Sequence, residues 1–211
     1  MADAPDLITT VEELAQLYGE PVPTAIAKEL PALTEDYRAW IDASPFMLLA
    51  SVGPEGLDCS PRGDPPGFVR VVDERTLQIP DRRGNNRTDS LRNIVGDPRV
   101  ALLFLVPGVG EALRVNGRAV LRRDPELCAS FAMGDKVPRC VVEVTVDAVY
   151  TQCQKALVRS KLWDPSQHVD RLTLPTMGQI MERITDGALD GAAYDAAYDA
   201  AYPERLRQTI Y

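Results

Sequence analysis

The chain has 211 residues, 45% of them hydrophobic and 26% charged, a composition typical of a globular protein with a sizeable core. Its net charge of -8 argues against a general nucleic-acid or membrane-surface binder, because binding a polyanion requires a basic face. The single histidine and the four cysteines without CxxC spacing argue against a Cys/His zinc site and against a histidine-based catalytic triad.

The first residues, MADAPDLITT, lack the basic and apolar regions of a signal peptide, and no apolar run is long enough to cross a bilayer. We therefore expect a cytoplasmic protein with reduced thiols. Residues 1–34 are predicted to form an arm with a short helix near Val11 to Tyr18. A second helix is predicted from Glu35 to Ala43, capped by Thr34.

Four short runs of β-forming residues follow, separated by turn residues, at 46–52, 57–61, 68–72 and 76–80. A helix over residues 88–95 comes next, and Thr88 is its predicted cap. The continuous apolar run over residues 99–106 predicts a fully buried strand.

The next β-type run, over residues 112–121, contains the pair Asn116-Gly117. This pair normally marks a tight hairpin, and a single strand with a glycine bulge is the alternative. A helix is predicted from Pro125 to about Met133, and a last strand over residues 140–150. Six or seven strands with few helices predict an α+β or mostly β barrel with flanking helices.

A helix over residues 154–163 leads into a tail with the local repeat AAYDAAYDAAYPE. The repeat spaces Tyr194, Tyr198 and Tyr202 four residues apart, which makes one aromatic stripe on a helix. We expect this stripe to pack against the body of the protein or a second subunit. A role in covering a cofactor is the alternative.

Residues 79–94, IPDRRGNNRTDSLRNI, concentrate the groups that bind a phosphate dianion. Arg82, Arg83 and Arg87 supply positive charge where a helix begins. Asn86 and Arg87 can donate from their side chains, and the free N–H groups of the first helical turn can complete the cradle. A solvated basic loop with a routine helix cap is the alternative, and the segment matches neither a Walker A loop nor GxGxxG.

A second polar cluster follows an earlier predicted strand, in CSPRGDPPGFV, residues 59–69. Ser60 and Arg62 can add a hydroxyl and a guanidinium to the same anion if the strands are neighbours, as sequential strands of an antiparallel barrel usually are. A simple turn built from Pro and Gly is the alternative.

Over residues 35–163 the chain resembles the pyridoxamine 5'-phosphate oxidase-like superfamily of FMN-binding split barrels, and in particular a bacterial branch of it. The resemblance rests on the order of the motifs. A helix leads into FMLLASVGPEGLDCSPRGD, and a strand ending in IPD precedes the basic loop RRGNNR and a helix. DPRVALLFLVPG and LRVNGRAVL then follow.

The resemblance implies a six- to seven-stranded antiparallel split β-barrel over residues 35–163, with an N-terminal arm (1–34) and a C-terminal helical extension (164–211). It also implies one long strand at Asn116-Gly117 and a homodimer with FMN at the interface. Neither nucleic acid nor a membrane is an expected partner.

Four residues are expected at the FMN phosphate. By resemblance, Arg62 matches the strand arginine that meets this phosphate in the family, and Ser60 lies beside it. Asn86 and Arg87 stand where the family often has a basic pair.

Four more residues are expected along the flavin ring. Pro80 and Asp81 occupy the strand end that runs beside the isoalloxazine in the family. Lys155 and Arg159 share one helix face with Trp163, and a place at the flavin or at a subunit interface is inferred for them. A plain surface helix is the alternative.

These features imply an FMN-dependent oxidoreductase with an unknown small-molecule substrate and no evident catalytic acid or base. A non-catalytic flavin-binding or flavin-storage module is the alternative function. Deazaflavin and haem are alternative cofactors, and the single histidine, His168, disfavours haem. The oxidase proper has a glutamine where Ala112 stands and a tryptophan- and arginine-rich tail that binds pyridoxal phosphate, so we expect no true pyridoxamine phosphate oxidase activity.

Overall fold

A seven-stranded antiparallel sheet forms the centre of the computed structural model, which describes residues 7–210. The strands are β1 (Phe46–Gly53), β2 (Gly56–Gly63), β3 (Arg70–Asp73), β4 (Thr76–Pro80), β5 (Arg99–Leu105), β6 (Ala112–Arg122) and β7 (Val141–Gln152). Their spatial order is β2-β1-β5-β6-β7-β4-β3, and every neighbouring pair is antiparallel. This is the predicted split β-barrel with flanking helices.

The described chain also contains eight α-helices. They are α1 (Val11–Tyr18), α2 (Pro23–Ala27), α3 (Glu35–Ala43), α4 (Asp89–Gly96), α5 (Pro125–Ala129), α6 (Lys155–Ser160), α7 (Met177–Ile184) and α8 (Gly191–Thr209). Short 3-10 helices cover Pro165–Gln167 and Arg171–Thr173. Within residues 7–210, no helix has both the length and the apolar character needed to cross a membrane.

The helix boundaries agree with the sequence where a cap fixes them. Helix α3 begins as predicted because the Thr34 side chain accepts a hydrogen bond from the Tyr37 N–H at 3.2 Å. The predicted helices at residues 125–133 and 154–163 are both shorter than expected. The first ends at Ala129, and the second ends where Lys161 adopts the left-handed conformation, with φ 51°.

Asn116 and Gly117 lie inside one continuous strand, so the bulge alternative is confirmed and the hairpin is wrong. Asn116 pairs with Ala148 and Gly117 with Val146, which leaves Asp147 of β7 as the extra residue. A Cβ on Gly117 would lie 2.2 Å from the Thr145 carbonyl oxygen. Only glycine permits this approach of two backbones.

The core lies on the inner face of the sheet, and both α3 and α4 contribute buried side chains to it. Side chains alternate inward and outward along β1, which buries Met47 and Leu49 completely. Phe104 of β5, Leu77 of β4 and Ile41 of α3 are fully or almost fully buried in the same cluster. Burial of each such side chain contributes roughly 1.5–3 kcal/mol to the free energy of unfolding.

Helices α7 and α8 pack closely through two glycines. A Cβ on Gly178 would lie 2.0 Å from the Gly191 carbonyl oxygen, so the helices meet backbone to backbone. The Asp195 carboxylate of α8 accepts hydrogen bonds from the Gly178 N–H at 2.8 Å and from the Thr176 hydroxyl at the start of α7. The two helices therefore form one hairpin.

The tyrosine repeat forms the predicted aromatic stripe on α8. The rings of Tyr194 and Tyr198 stack with centroids 6.5 Å apart, and those of Tyr198 and Tyr202 at 5.4 Å. All three side chains remain exposed. Packing of this stripe against a second subunit stays a prediction.

Candidate functional site

A cleft of about 540 Å³ opens between β2, the loop that leads into α4, and the segment before β7. Its volume lies in the range of small-molecule sites. Six cationic side chains and four carboxylates line the cleft. The cations are Arg62, Arg82, Arg83, Arg87, Lys136 and Arg139, and the carboxylates are Asp58, Asp81, Asp89 and Asp135.

Strand β2 supplies one wall of the cleft because its side chains alternate between two faces. Asp58, Ser60 and Arg62 share the half-buried face, and all three line the cleft. The Arg62 Nη1 donates to Ser60 Oγ at 3.1 Å and to the Pro61 carbonyl at 3.2 Å. In the described chain, Arg62 forms no ion pair with a carboxylate, so most of its five donors remain for an anionic ligand.

The loop before α4 holds two residues in the left-handed region, Asn86 with φ 63° and Thr88 with φ 56°. Such a conformation is unfavourable for a β-branched residue. Thr88 occupies the N-cap position, but its side chain makes no capping hydrogen bond, so that part of the prediction is wrong. A capping side chain normally needs an extended backbone. Helix α4 therefore begins without a side-chain cap at the cleft.

Arg87 lies at the open side of the loop, with a side chain 75% exposed. Its Nε donates to Asp89 Oδ2 at 2.8 Å, and its backbone N–H donates to Asn85 Oδ1 at 3.1 Å. The terminal nitrogens of its guanidinium make no other hydrogen bond within residues 7–210. An exposed pair of this kind is worth at most about 1 kcal/mol, so an incoming phosphate can compete for Arg87.

Arg82 has a structural part in the same loop. Its Nε donates to Asp64 Oδ2 at 2.6 Å and its Nη1 donates to the Phe131 carbonyl at 2.8 Å. The side chains of this ion pair are only 18% and 9% exposed. Arg82 thus ties the loop to the segment after β2 and to the segment after α5.

A hydroxyl contact fixes α4 against β2. The Ser90 hydroxyl donates to Asp58 Oδ2 at 3.0 Å, and Ser90 is buried. The sequence analysis missed both residues, since an isolated serine and aspartate carry no pattern that pairs them across 32 positions.

Asp81 and Cys140 meet on the inner side of the cleft, where the Asp81 N–H donates to the Cys140 carbonyl at 3.0 Å. Burial raises the pKa of Asp81, and the positive charges of Arg62 and Arg139 oppose that rise. Burial, with the nearby Asp81 and Cys128, also raises the pKa of the Cys140 thiol to about 11. Cys140 is therefore a neutral thiol at pH 7.

Arg139 is a cleft residue that the sequence analysis missed. It lines the cleft, and it makes no hydrogen bond or ion pair with any other residue that the structure describes. It lies more than fifty positions after the basic loop, and only its place directly before a predicted strand marks it in the sequence.

The structure brings five of the eight predicted residues into this cleft: Ser60, Arg62, Asp81, Asn86 and Arg87. Pro80 is buried at the end of β4 and lines an adjoining cleft of about 210 Å³ that shares Arg62 and Gly84. Lys155 and Arg159 are exposed on α6 and line neither of these two clefts. Their contact with a cofactor stays a prediction.

Comparison with known proteins identifies the family. A sequence profile described as pyridoxamine 5'-phosphate oxidase matches residues 33–153. The chain belongs to this family. The match covers every strand of the sheet and the loop that leads into α4, and it ends before α6. No curated protein matches the chain.

Several solved structures are similar to this chain over little more than half of its length. HupZ from Group A Streptococcus is 18% identical, with a TM-score of 0.48 over 57% of this chain and 94% of that protein. A candidate pyridoxamine 5'-phosphate oxidase from Lactobacillus delbrueckii is 24% identical, with a TM-score of 0.45 over 58% and 98%. An F420 reductase is 20% identical, with a TM-score of 0.43 over 56% and 98%.

Proposed function

We propose that this family member binds FMN in the cation-lined cleft and acts as a flavin-dependent oxidoreductase on a small molecule. The observation that carries the proposal is the start of α4, which has no side-chain cap and faces a cleft containing Arg62 and Arg87. Unpaired N–H groups of a first helical turn, together with guanidinium groups, are what a phosphate dianion requires.

The donor set fits the phosphate of FMN. Ser60 offers a hydroxyl, Arg62 offers donors that no carboxylate occupies within residues 7–210, and Arg87 has unused terminal nitrogens. The left-handed backbone at Asn86 and Thr88 is of the kind that turns successive N–H groups towards an anion. The cations outnumber the carboxylates in the cleft although the whole chain is acidic.

When bound, FMN would supply the two-electron chemistry, and the chain's own residues would bind and orient it. Arg62 and Arg87 would hold the phosphate, and Pro80 and Asp81 would lie along the ring. Burial raises the pKa of Asp81, so its carboxyl group can keep a proton up to a higher pH than the carboxyl group of an exposed aspartate can.

A homodimer with FMN at its interface is part of the same proposal. In support, α1 exposes a row of apolar side chains, between 45% and 80% exposed, that a monomer would leave in water: Val11, Leu14, Leu17 and Tyr18. Lys155 and Arg159, exposed on α6, would then reach the flavin of the partner subunit. The four free cysteines suit the reducing cytoplasm, which we propose as its location.

Two measurements test the function. Purified protein is first titrated with FMN by fluorescence, and we expect saturable quenching at one FMN per chain. The loaded protein is then mixed with NADH or NADPH and an artificial acceptor, and we expect steady-state oxidation of the nicotinamide. Binding without turnover would indicate a non-catalytic flavin module instead, and absence of saturable binding would refute both functions.

A true oxidase activity towards pyridoxamine phosphate is not part of the proposal. A second phosphate needs a second anion cradle, and residues 186–199 contain four aspartates and neither Lys nor Arg. We expect no hydrogen peroxide release with pyridoxamine phosphate as the sole reductant.

A further inference from the structure

The end of α8 reaches the cleft although it lies outside the segment that matches the family, residues 33–153. Gln208 lines the cleft together with Lys136 and Arg139. The Lys136 Nζ donates to the Arg207 carbonyl at 3.2 Å and also to the Ile210 carbonyl. The segment before β7 is thus joined to the last turn of α8.

The lysine contact satisfies groups that a helix end leaves without partners. The last carbonyls of a helix accept no hydrogen bond from an N–H group of the same helix, and they form the negative end of the helix dipole. The Lys136 ammonium supplies both the hydrogen bonds and the opposite charge. A tight turn holds the lysine in place, since Met133 and Lys136 exchange backbone hydrogen bonds of 3.0 and 3.1 Å.

The other end of α8 is anchored as well. The Asp190 side chain caps the helix by accepting from the Ala193 N–H at 2.9 Å, and the glycine contact with α7 fixes its first turn. The helix runs for 19 residues, about 28 Å, with Pro203 inside it, so its last turn is positioned by the Lys136 contacts as well as by the anchor at its start. In the last turn, Glu204 accepts from the Gln208 Nε2 at 2.7 Å, which orients the Gln208 carboxamide.

We propose that the last turn of α8 forms a wall of the FMN cleft and that Gln208 is a specificity-determining residue that hydrogen-bonds the ligand. Lys136 is the positioning residue that holds this turn in place. The proposal rests on the FMN site proposed above. An acceptor-only phosphate is served by guanidinium groups, whereas a carboxamide both donates and accepts. Gln208 therefore recognises hydroxyl or amide groups of the ligand, beyond its phosphate.

A ligand that contacts Gln208 should also stabilise the end of α8. Because binding free energies are reciprocal, a ligand that Gln208 helps to bind also stabilises the last turn of α8. Trypsin reports on this turn, since it cleaves after Arg205 and Arg207 only when the local helix opens. FMN should slow that cleavage in the wild-type protein.

The test compares FMN affinity of the wild type with Q208A and K136M, using Q16A, an exposed glutamine of α1, as the matched control. We expect Q208A and K136M to raise the dissociation constant about threefold to tenfold, the factor that one neutral hydrogen bond is worth. Q16A should bind like the wild type. K136R, which keeps the charge at the helix end, should restore most of the affinity lost in K136M.

Thermal melts exclude global unfolding of the variants, and trypsin digestion gives a second readout. FMN should protect Arg205 and Arg207 in the wild type and Q16A but not in Q208A. The inference is overturned if the wild type binds FMN while Q208A and K136M bind equally well and protection is unchanged. If the wild type itself does not bind FMN, the proposed function fails, and this inference falls with it.

Discussion

The arginines of the cleft differ in their partners, so their substitution should have different effects. Arg82 is held by a largely buried ion pair with Asp64, whereas Arg87 is exposed and its side chain makes only a surface pair with Asp89. Arg62 makes no ion pair within the described part of the chain. One basic loop therefore contains a structural cation, Arg82, and an exposed cation, Arg87, whose terminal nitrogens are available to a ligand.

We predict that Arg87→Ala weakens FMN binding without changing stability. Loss of one charge-assisted contact costs roughly 1.5–3 kcal/mol, which is about a tenfold to hundredfold increase in the dissociation constant. Arg82→Ala should instead lower the free energy of unfolding by about 1.5–3 kcal/mol, because it leaves the largely buried Asp64 carboxylate without its charged partner. Fluorescence titration and urea unfolding measure the two effects.

Arg92→Ala is the control for both arginine variants, because Arg92 is exposed on α4 and does not line the cleft. Arg92→Ala should change neither the FMN affinity nor the free energy of unfolding. A change of less than twofold in FMN affinity for Arg87→Ala would remove this residue from the phosphate site.

Asp81→Asn should increase stability at pH 7. Burial raises the native pKa of Asp81 above its ordinary value of 3.8, so ionisation costs more in the folded state than in the unfolded state. The stability that the protonated carboxyl provides is fully present below pH 3.8 and is lost as pH rises through the native pKa. Asparagine does not ionise, so the advantage of the variant should appear above that pKa and shrink as the pH falls.

Unfolding free energies measured from pH 7 downwards check this prediction. Removal of a carboxylate beside Arg62 and Arg139 should also tighten FMN binding in the variant. A variant that is less stable than the wild type at pH 7 would show that the two arginines, and not burial, determine the ionisation of Asp81.

At the scale of helices and strands, the sequence predicts an element well when a single local interaction determines where that element begins or ends. Thr34 begins α3 because its hydroxyl accepts from the Tyr37 N–H, and turn residues bound the β-forming run over 57–61 that lies within β2. Such local patterns do not predict contacts between residues that are far apart in the sequence. The left-handed Thr88 removes an expected cap, and Arg139 reaches the cleft only because β4 and β7 pair.

The bulge at Gly117 gives a prediction at this scale. Gly117→Ala should lower the free energy of unfolding by about 1–3 kcal/mol, because the new Cβ would lie 2.2 Å from the Thr145 carbonyl and force β6 and β7 apart. Gly96→Ala is the matched control, since a Cβ there meets nothing within 4 Å. Equal stability of the two variants in urea unfolding would contradict the described register.

At the scale of the whole molecule, an acidic chain carries a locally basic cleft. The net charge of -8 repels an anionic ligand at long range, while Arg62, Arg87 and Arg139 attract it at short range. Salt at 0.1 M largely screens charges more than about 10 Å apart, so the long-range repulsion is weakened and the contacts inside the cleft should determine FMN affinity at physiological ionic strength.

The proposed homodimer also belongs to this scale. We predict that sedimentation at micromolar concentration gives a dimer. Dilution should dissociate this dimer and weaken FMN binding at the same time. Substitution of the exposed α1 residue Leu17 by Glu should shift the equilibrium towards monomer, because it places a charge on the apolar row. A monomer that retains FMN fully at micromolar concentration would contradict an interfacial cofactor.

The central claim is that the cleft binds FMN through its phosphate, and comparison of FMN with riboflavin tests it most directly. The two molecules share the flavin ring and differ in the phosphate. We predict that the wild type binds FMN at least about a hundredfold more tightly than riboflavin and that Arg87→Ala narrows the difference. Equal affinities for FMN and riboflavin, or a preference that Arg87→Ala leaves unchanged, would contradict the account.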